Sequence, residues 1–325
     1  MSSNSLVTIM IPCYNHEAFL GDCLSSILAQ DYENVELLIC DDCSPDNSYA
    51  VITSFEERLK RRFSRVEIMR NDVNCGVTKN INRMLRMAQG VYVKTIASDD
   101  AMAPNAISSM VSYLEKNPEV SVVVSNGVKV PEEQHYPEFS SKEKIYVSAP
   151  DFSRDGLFER VARCNEISAP AAMVRMSVYR EYGLYDETVK VEDYEFWLRI
   201  LKEGNTRIGF LDKDLLFYRI NANSMSSLSG NAGLARRRKI MHQSEIESLN
   251  KYCAYFTKEA YAQIVLDRIL DERGFAIIHR LPQWEEELRE ELRSFSKWKD
   301  LPAGDRLSYR IRSIKQSLRK LLNRM

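Results

Sequence analysis

Val35-Glu36-Leu37-Leu38-Ile39-Cys40-Asp41-Asp42-Cys43-Ser44-Pro45-Asp46 is an apolar run that stops at two carboxylates and a proline. Six residues of this kind bounded by turn formers predict a buried strand, and Ser44-Pro45-Asp46 predicts the cap and first turn of a helix running over 46–62. The same unit recurs on either side. A strand from Leu6 to Cys13 precedes a helix over 18–30, whose Phe19, Leu20, Cys23, Leu24, Ile27 and Leu28 fall at helical spacing. Downstream, 66–70 is a short third strand and 77–88 a helix ending at Gly90. A fourth strand over 91–96 stops at Ser98-Asp99-Asp100, and Pro104 opens the next helix. Strand and helix in alternation predict an α/β fold, a Rossmann-like, mostly parallel sheet flanked by helices.

Beyond this core the pattern loosens. Residues 120–125 read as another buried strand, and 131–155 as a polar, proline-containing insertion or lid. Regular structure resumes near Pro170, with a helix over Glu192–Leu201 and two short strands over 206–210 and 215–219. Residues 222–233, rich in Ser, Asn and Gly, read as a mobile loop, and from Leu234 onward the pattern is helical with no repeat period. The expected division is 1–228 for the α/β domain and 229–325 for a helical C-terminal region.

The net charge of -1 conceals an asymmetry, because the segment from Arg306 to Met325 carries Lys and Arg but no Asp or Glu. There Leu307, Ile311, Ile314, Leu318, Leu321, Leu322 and Met325 repeat at spacings of three and four. That stripe suits a helix lying on an anionic membrane surface, and equally one packed on its own domain or on a second subunit. No stretch approaches the ~20 apolar residues of a membrane span, and the apolar run after Met1 is short for a signal-peptide core. An odd number of scattered cysteines suits a reducing cytoplasm, with peripheral placement at the inner face of the membrane as the tail's implication. Cys40-Asp41-Asp42-Cys43 has no second Cys or His pair at zinc spacing, so its cysteines read as core and turn residues. The basic residues cluster only in the tail and lack interleaved aromatics, which gives no case for nucleic acid.

Sheets of this kind bind ligands at the carboxyl ends of their strands. Three predicted strands end in polar groups: Pro12-Cys13-Tyr14-Asn15, Asp41 to Asp46, and Ser98-Asp99-Asp100. Each alone could be a helix cap. Side by side, the acids would repel one another unless they met a cation or hydrogen-bond donors. Neither GxGxxG nor GxxxxGK[ST] is present, which disfavours a dinucleotide dehydrogenase and a P-loop NTPase. Adjacent aspartates can instead hold Mg²⁺ or Mn²⁺ shared with a diphosphate, and such an ion stabilises the charge on a departing nucleoside diphosphate.

In order and spacing these motifs resemble family 2 glycosyltransferases of the GT-A fold, over roughly residues 6–226. Ile11-Pro12-Cys13-Tyr14-Asn15 resembles the family's opening strand, and Asp41-Asp42-Cys43-Ser44-Pro45-Asp46-Asn47-Ser48 its Asp-Asp-Gly-Ser-x-Asp-x-Ser turn. Asn74-Cys75-Gly76 with Asn82 follows its Asn-x-Gly segment, and Ser98-Asp99-Asp100 occupies the position of its Asp-x-Asp motif. Glu192-Asp193, with Trp197 and Arg199, resembles the acidic pair that opens a late helix. Tyr218-Arg219-Ile220-Asn221 followed by Ser224-Met225-Ser226 resembles the closing loop. The resemblance implies a nucleotide pocket lined by Pro12, Tyr14, Asn15, Asp41, Asp42, Asn74, Gly76, Asn82, Ser98 and Asp99, with Asp42 accepting the uracil N3–H. It implies that Asp99 contacts ribose or shares the metal, that Asp100 coordinates the metal, and that Asp193, paired with Glu192, is the general base. Ala97 stands where many members have the first acid of Asp-x-Asp, Asn221 where a histidine is frequent, and Cys43 where the turn usually has glycine.

A sugar hydroxyl attacking an anomeric carbon must lose a proton, and one placed carboxylate suffices. Direct displacement inverts the centre and needs no nucleophilic carboxylate. The expectation is therefore an inverting, metal-dependent hexosyl transfer from a UDP-sugar to a glycan or lipid-linked acceptor in bacterial surface polysaccharide synthesis. Two alternatives stay open: a sugar-phosphate nucleotidyltransferase, though Tyr14-Asn15-His16 stands where a Gly-rich basic loop is usual, and a non-catalytic sugar-nucleotide binder.

Overall fold

A computed structural model describes residues 5–152, 155–220 and 233–294. Strands β1 (Val7–Cys13), β2 (Val35–Asp41), β3 (Arg65–Arg70) and β4 (Tyr92–Thr95) alternate with helices α1 (Glu17–Leu28), α2 (Ser48–Arg62) and α3 (Val77–Met87). β1 pairs in parallel with both β2 and β4, and β2 with β3. After β4 come β5 (Ala101–Met102), α4 (Ala106–Lys116), β6 (Val122–Pro131), α5 (Leu157–Arg163), β7 (Ala172–Arg175), α6 (Met176–Tyr182), α7 (Glu192–Leu201) and β8 (Ile208–Ile220). The described strands form one sheet in the order β3-β2-β1-β4-β7-β6-β8-β5. Strand order reverses between β1 and β4, and the carboxyl ends of such a pair are where an open sheet leaves a ligand crevice.

Alternate residues along β1 and β2 enter opposite cores. Ile9, Ile11, Leu37 and Ile39 pack with α1, α2 and α4, whereas Met10, Leu38 and Cys40 belong to the core that also holds α3, α7 and the C-terminal helices. Burial on both faces explains why these strands read as continuous apolar runs. Inside the sheet, Glu36 is fully buried and accepts from Thr8 Oγ1, Gly90 N and Arg65 Nη1. Gly90 is demanded by close approach, since a Cβ there would lie 2.5 Å from Thr8 N and 2.8 Å from Tyr92 O. Gly90→Ala forces β1 and β4 apart, so its urea-unfolding midpoint is expected to fall by the equivalent of about 1–3 kcal/mol. An unchanged midpoint would contradict the close approach.

The remaining departures from expectation are local. The two strands expected over 206–210 and 215–219 are one, β8, because the exposed Asp212-Lys213-Asp214 stays extended and is absorbed by register shifts opposite Ser125-Asn126-Gly127. β7 runs antiparallel to both β4 and β6. The lid segment begins as the end of β6 and folds back along it, with Ile145 N donating to Gly127 O and Lys129 N to Glu143 O. Cys43 takes φ +59° in its turn, so the fold imposes on cysteine the backbone that glycine adopts freely.

Downstream lie α8 (Leu234–Lys251), α9 (Lys258–Ile278) and α10 (Pro282–Ser294). Leu249, Ile264, Leu266, Ile269 and Leu288 join the same core as Tyr194, Phe196 and Trp197 of α7. Residues 306–325, Asn221 and Ser224-Met225-Ser226, and the expected boundary at 228 lie outside the described residues. Among the described residues no helix is long and apolar enough to cross a membrane.

Candidate active site

The loops after β1, β2 and β4 are stitched to one another before any ligand arrives. Asp42 N donates to Cys13 O at 2.8 Å, Asn15 N to Ser44 Oγ at 3.0 Å and His16 N to Ser48 Oγ at 3.0 Å. Asp46 receives Glu17 N and Ser48 N, holding the starts of α1 and α2 together. His16 then bridges to the third loop. Its Nδ1 lies 2.7 Å from Ser98 Oγ and its Nε2 3.8 Å from Asp99 Oδ2.

These loops open onto a cleft of about 1120 Å³. Pro12, Tyr14, Asn15, Asp42, Ser98, Asp99, Asp100, Glu192 and Asp193 all line it, so sequence positions up to 180 residues apart face one space. Four other candidates, Asp41, Asn74, Gly76 and Asn82, do not. Asp41 is fully buried, turned away from the cleft, with Ser44 N and Arg70 Nε both on its Oδ2 and no hydrogen-bond partner on its Oδ1. Asn82 is buried and ties α3 to Tyr185 through its N–H and carbonyl. Asn74 is exposed on the loop before α3. Gly76, at φ +88°, serves indirectly by donating its N–H to Asp42 Oδ2 at 2.7 Å.

Asp42 is a preorganised acceptor. Cys75 N and Asn71 Nδ2 complete its hydrogen bonds at 2.8 Å each. Burial alone would raise its carboxyl, yet these donors together hold it below the ordinary aspartate value. Asp100 is the opposite case. It is 1% exposed, its Oδ1 accepts Arg219 N at 2.9 Å and its Oδ2 has no partner. Burial, then the neighbouring Asp99, push this carboxyl well above its usual range. A buried carboxylate oxygen without a donor is costly unless a proton or cation meets it. Among the described residues no group of three His, Cys, Asp or Glu could hold a metal. Asp99 and Asp100 are the acidic residues of this loop that could hold a hard cation, the chemistry of ions that take their other ligands from phosphates and water.

Three residues to which the sequence assigned no site role, Arg219 among them although it stands in the closing-loop motif, hold this arrangement in place. Arg219, on β8 and 2% exposed, donates from Nε to Asp99 O, from Nη1 to the carbonyls of Pro131, Glu132 and Gln134, and from Nη2 to Asp22. Lys94 lies buried under the acidic loop and donates to Thr95 O and Pro170 O. Burial pushes its ammonium down to about 7, against the pull of Asp100. Asn165 donates to Asp193 Oδ2 at 3.2 Å. A charged residue inside an otherwise apolar strand was the available signal for Lys94 and Arg219; Asn165 carried none.

Asp193 and Glu192 begin α7 and line the same cleft. Asp193 Oδ1 accepts Tyr194 N at 2.7 Å. Burial in the cleft, with Glu245 adding to it, raises Asp193 to about 6 despite the hydrogen bonds from Tyr194 and Asn165. Burial and then Asp193 raise Glu192 to about 7. Carboxylates poised near neutrality in a cleft are suited to accept a proton.

A mostly parallel sheet with loops opening at its switch point, antiparallel strands beyond it and an acidic helix start lining the same cleft has the GT-A glycosyltransferase fold. Residues 8–183 match the model of glycosyl transferase family 2, and the chain belongs to that family. It is 27% identical over 256 residues to an uncharacterized glycosyltransferase of Haemophilus influenzae, covering 77% of this chain and 76% of that one. It is also 27% identical to UDP-Glc:alpha-D-GlcNAc-diphosphoundecaprenol beta-1,3-glucosyltransferase WfgD of Escherichia coli, over 68% of this chain and 80% of the relative. Among solved structures, S. aureus TarS 1-349 in complex with UDP-GlcNAc shares the fold at TM-score 0.63 and 16% identity, over 98% of this chain and 92% of that one. The mannosyltransferase PcManGT of Pyrobaculum calidifontis, in complex with GDP-Man and Mn2+, does so at 0.57 and 15%, over 98% and 88%.

Proposed function

We propose that the chain is an inverting glycosyltransferase that moves a sugar from a UDP-linked donor to a hydroxyl of a glycan or lipid-linked acceptor, in the synthesis of a bacterial surface polysaccharide. The observation that carries this reading is the convergence of Asp42, Asp99, Asp100 and Asp193 on one cleft. The UDP-Glc and diphosphoundecaprenol in the name of the E. coli relative, and the UDP-GlcNAc complex of TarS, support the donor and acceptor classes.

In this reading Tyr14 and Pro12 flank the base and Asp42 accepts the uracil N3–H, which cytosine lacks at that position. Asp42 Oδ1 already accepts from Asn71 Nδ2 and Cys75 N, whereas Oδ2, which accepts Gly76 N, keeps a lone pair for it. Asp99 and Asp100 would hold Mn²⁺ or Mg²⁺, which would supply positive charge for the diphosphate of a leaving UDP. Arg219 keeps the acidic loop in position from behind through Asp99 O and Asp100 Oδ1. Asp193 takes the proton of the acceptor hydroxyl as that oxygen bonds to the anomeric carbon, and Asn165 with Tyr194 N orient it. In this reading the donor domain spans 1–228, with a helical region after it.

Titration calorimetry with UDP, GDP and CDP, with Mn²⁺ or with chelator, tests the donor side. UDP is expected to bind at least about tenfold more tightly than CDP and to lose about tenfold or more without the metal. Asp100→Asn is expected to remove that metal dependence. Equal affinity for UDP and CDP would refute the role of Asp42, and metal-independent binding would refute that of the acidic pair.

A further inference from the structure

The cleft exceeds what one ligand needs. Its 1120 Å³ lies beyond the roughly 300–1,000 Å³ of ordinary small-molecule pockets. The loops after β1, β2 and β4 line part of it, and the C-terminal helices line it too. Arg238 and Glu245 on α8, and Arg268, Asp271 and Glu272 on α9, all line the space that Asp193 lines. The spacings of seven on α8 and four on α9 put each set on one helix face.

These side chains form a grid of donors and acceptors. Arg238 donates through Nε and Nη2 to Glu272. Arg268 donates through Nη1 to Glu245 and through Nε to Ala162 O at 2.9 Å, and its guanidinium lies 4.6 Å over the Tyr194 ring. It is 8% exposed, yet its Nη2 has no partner. Guanidinium groups committed this far into a protein normally have all their donors met. The grid also reaches the base, for Glu245 is near enough to Asp193 to raise it.

Charge decides what chemistry this wall accepts. On this side Arg163, Lys190, Arg238 and Arg268 stand against Glu192, Asp193, Glu245, Asp271 and Glu272. With Glu192 and Asp193 raised to about 7 and about 6 the two signs nearly balance, so a phosphate or uronate entering here would shed its water without a net positive charge to receive it. A neutral ring with several hydroxyls both donates and accepts, and charge-assisted bonds to it are strong without adding net charge.

We propose that α8 and α9 form the acceptor subsite, which seats a neutral, hydroxylated sugar ring beside Asp193 through the Arg238–Glu272 and Arg268–Glu245 pairs and excludes anionic sugars. The proposal rests on the transferase reading of the same cleft and adds the acceptor's class. Any phosphate of a lipid-linked acceptor lies outside this wall.

Saturation-transfer NMR on the full chain with UDP and Mn²⁺ tests it, using methyl β-glucoside, β-galactoside, β-N-acetylglucosaminide and β-glucuronide as probes. At least one neutral glycoside is expected to bind about tenfold more tightly than the glucuronide. Glu245→Gln and Arg238→Gln are each expected to weaken it by about tenfold, with UDP affinity within about twofold of wild type. The double variant Glu245→Gln, Asp271→Asn is expected to narrow the discrimination against the glucuronide to about threefold. The proposal is overturned by a wild-type protein that prefers the glucuronide or binds no glycoside, or by variants that bind the neutral probe unchanged. Where a variant loses UDP binding and has misfolded, the wild-type comparison of neutral and anionic probes decides. Neutral selectivity without UDP binding would sink the donor reading and leave the subsite standing.

Discussion

Asp193→Ala is expected to lower sugar transfer by roughly 10²–10⁴-fold, the range over which a positioned general base contributes, while UDP affinity stays within about twofold. The carboxylate is bonded to Asn165 Nδ2 and Tyr194 N and not to the strand-end loops, so its loss leaves the contacts of Asp42 and the acidic pair intact. Transfer at the wild-type rate would remove Asp193 from the reaction. Loss of both transfer and UDP binding would instead indicate a structural role.

The same pair gives a pH signature. Asp193 is raised to about 6 and Glu192 to about 7, so the two titrate as a unit. A base works unprotonated, and kcat/KM is therefore expected to fall as pH drops through about 7 to about 6. Stability moves the other way. A carboxyl whose folded value is raised binds its proton more tightly in the native state, so its contribution is complete below the ordinary value near 4 and is lost as pH rises through about 6 to about 7. Melting temperature is expected to decline across the window in which activity rises. In Glu245→Gln the acid limb of the rate profile is expected to shift to lower pH, because one of the charges that raises Asp193 has gone.

The parallel half of the fold was legible because its strands are buried on both faces, which leaves unbroken apolar runs such as Val35 to Cys40. β5 and β7 were not, since two and four residues give no period to read. Asp212-Lys213-Asp214 reads as a turn from polarity alone, and only pairing with β6 keeps it extended. The acidic positions were legible as strand-end clusters, but adjacency gives no orientation. Asp41 and Asp42 look equivalent in a row of letters, whereas the pleat sends one into the turn's interior and the other to the cleft. The wall of α8 and α9 carries no motif, for Arg and Glu at helical spacing resemble any solvated face until the helices are packed.

Arg219 shows how much of the site depends on a residue that touches no ligand. Its guanidinium is enclosed between Phe19 and Phe139, 4.8 Å and 5.6 Å from their ring centres, and its charge is met by Asp22 at 2.8 Å. Its donors hold three separate pieces of chain: the acidic loop at Asp99, the start of the lid at 131–134 and α1 at Asp22. Arg219→Met keeps most of the apolar volume but takes the guanidinium from Asp22, whose Oδ2 keeps His135 Nδ1 at 2.9 Å, and from several carbonyls. Removing one partner of a buried pair costs roughly 3–5 kcal/mol, so a large fall in melting temperature is expected. Arg219→Lys restores the charge but not the planar fork. It is expected to recover much of the stability while losing the simultaneous grip on Asp99 and the lid, and hence to weaken Mn²⁺-dependent UDP binding by about tenfold or more. If Arg219→Lys binds UDP as the wild type does, the fork serves stability alone and the acidic loop holds its own position.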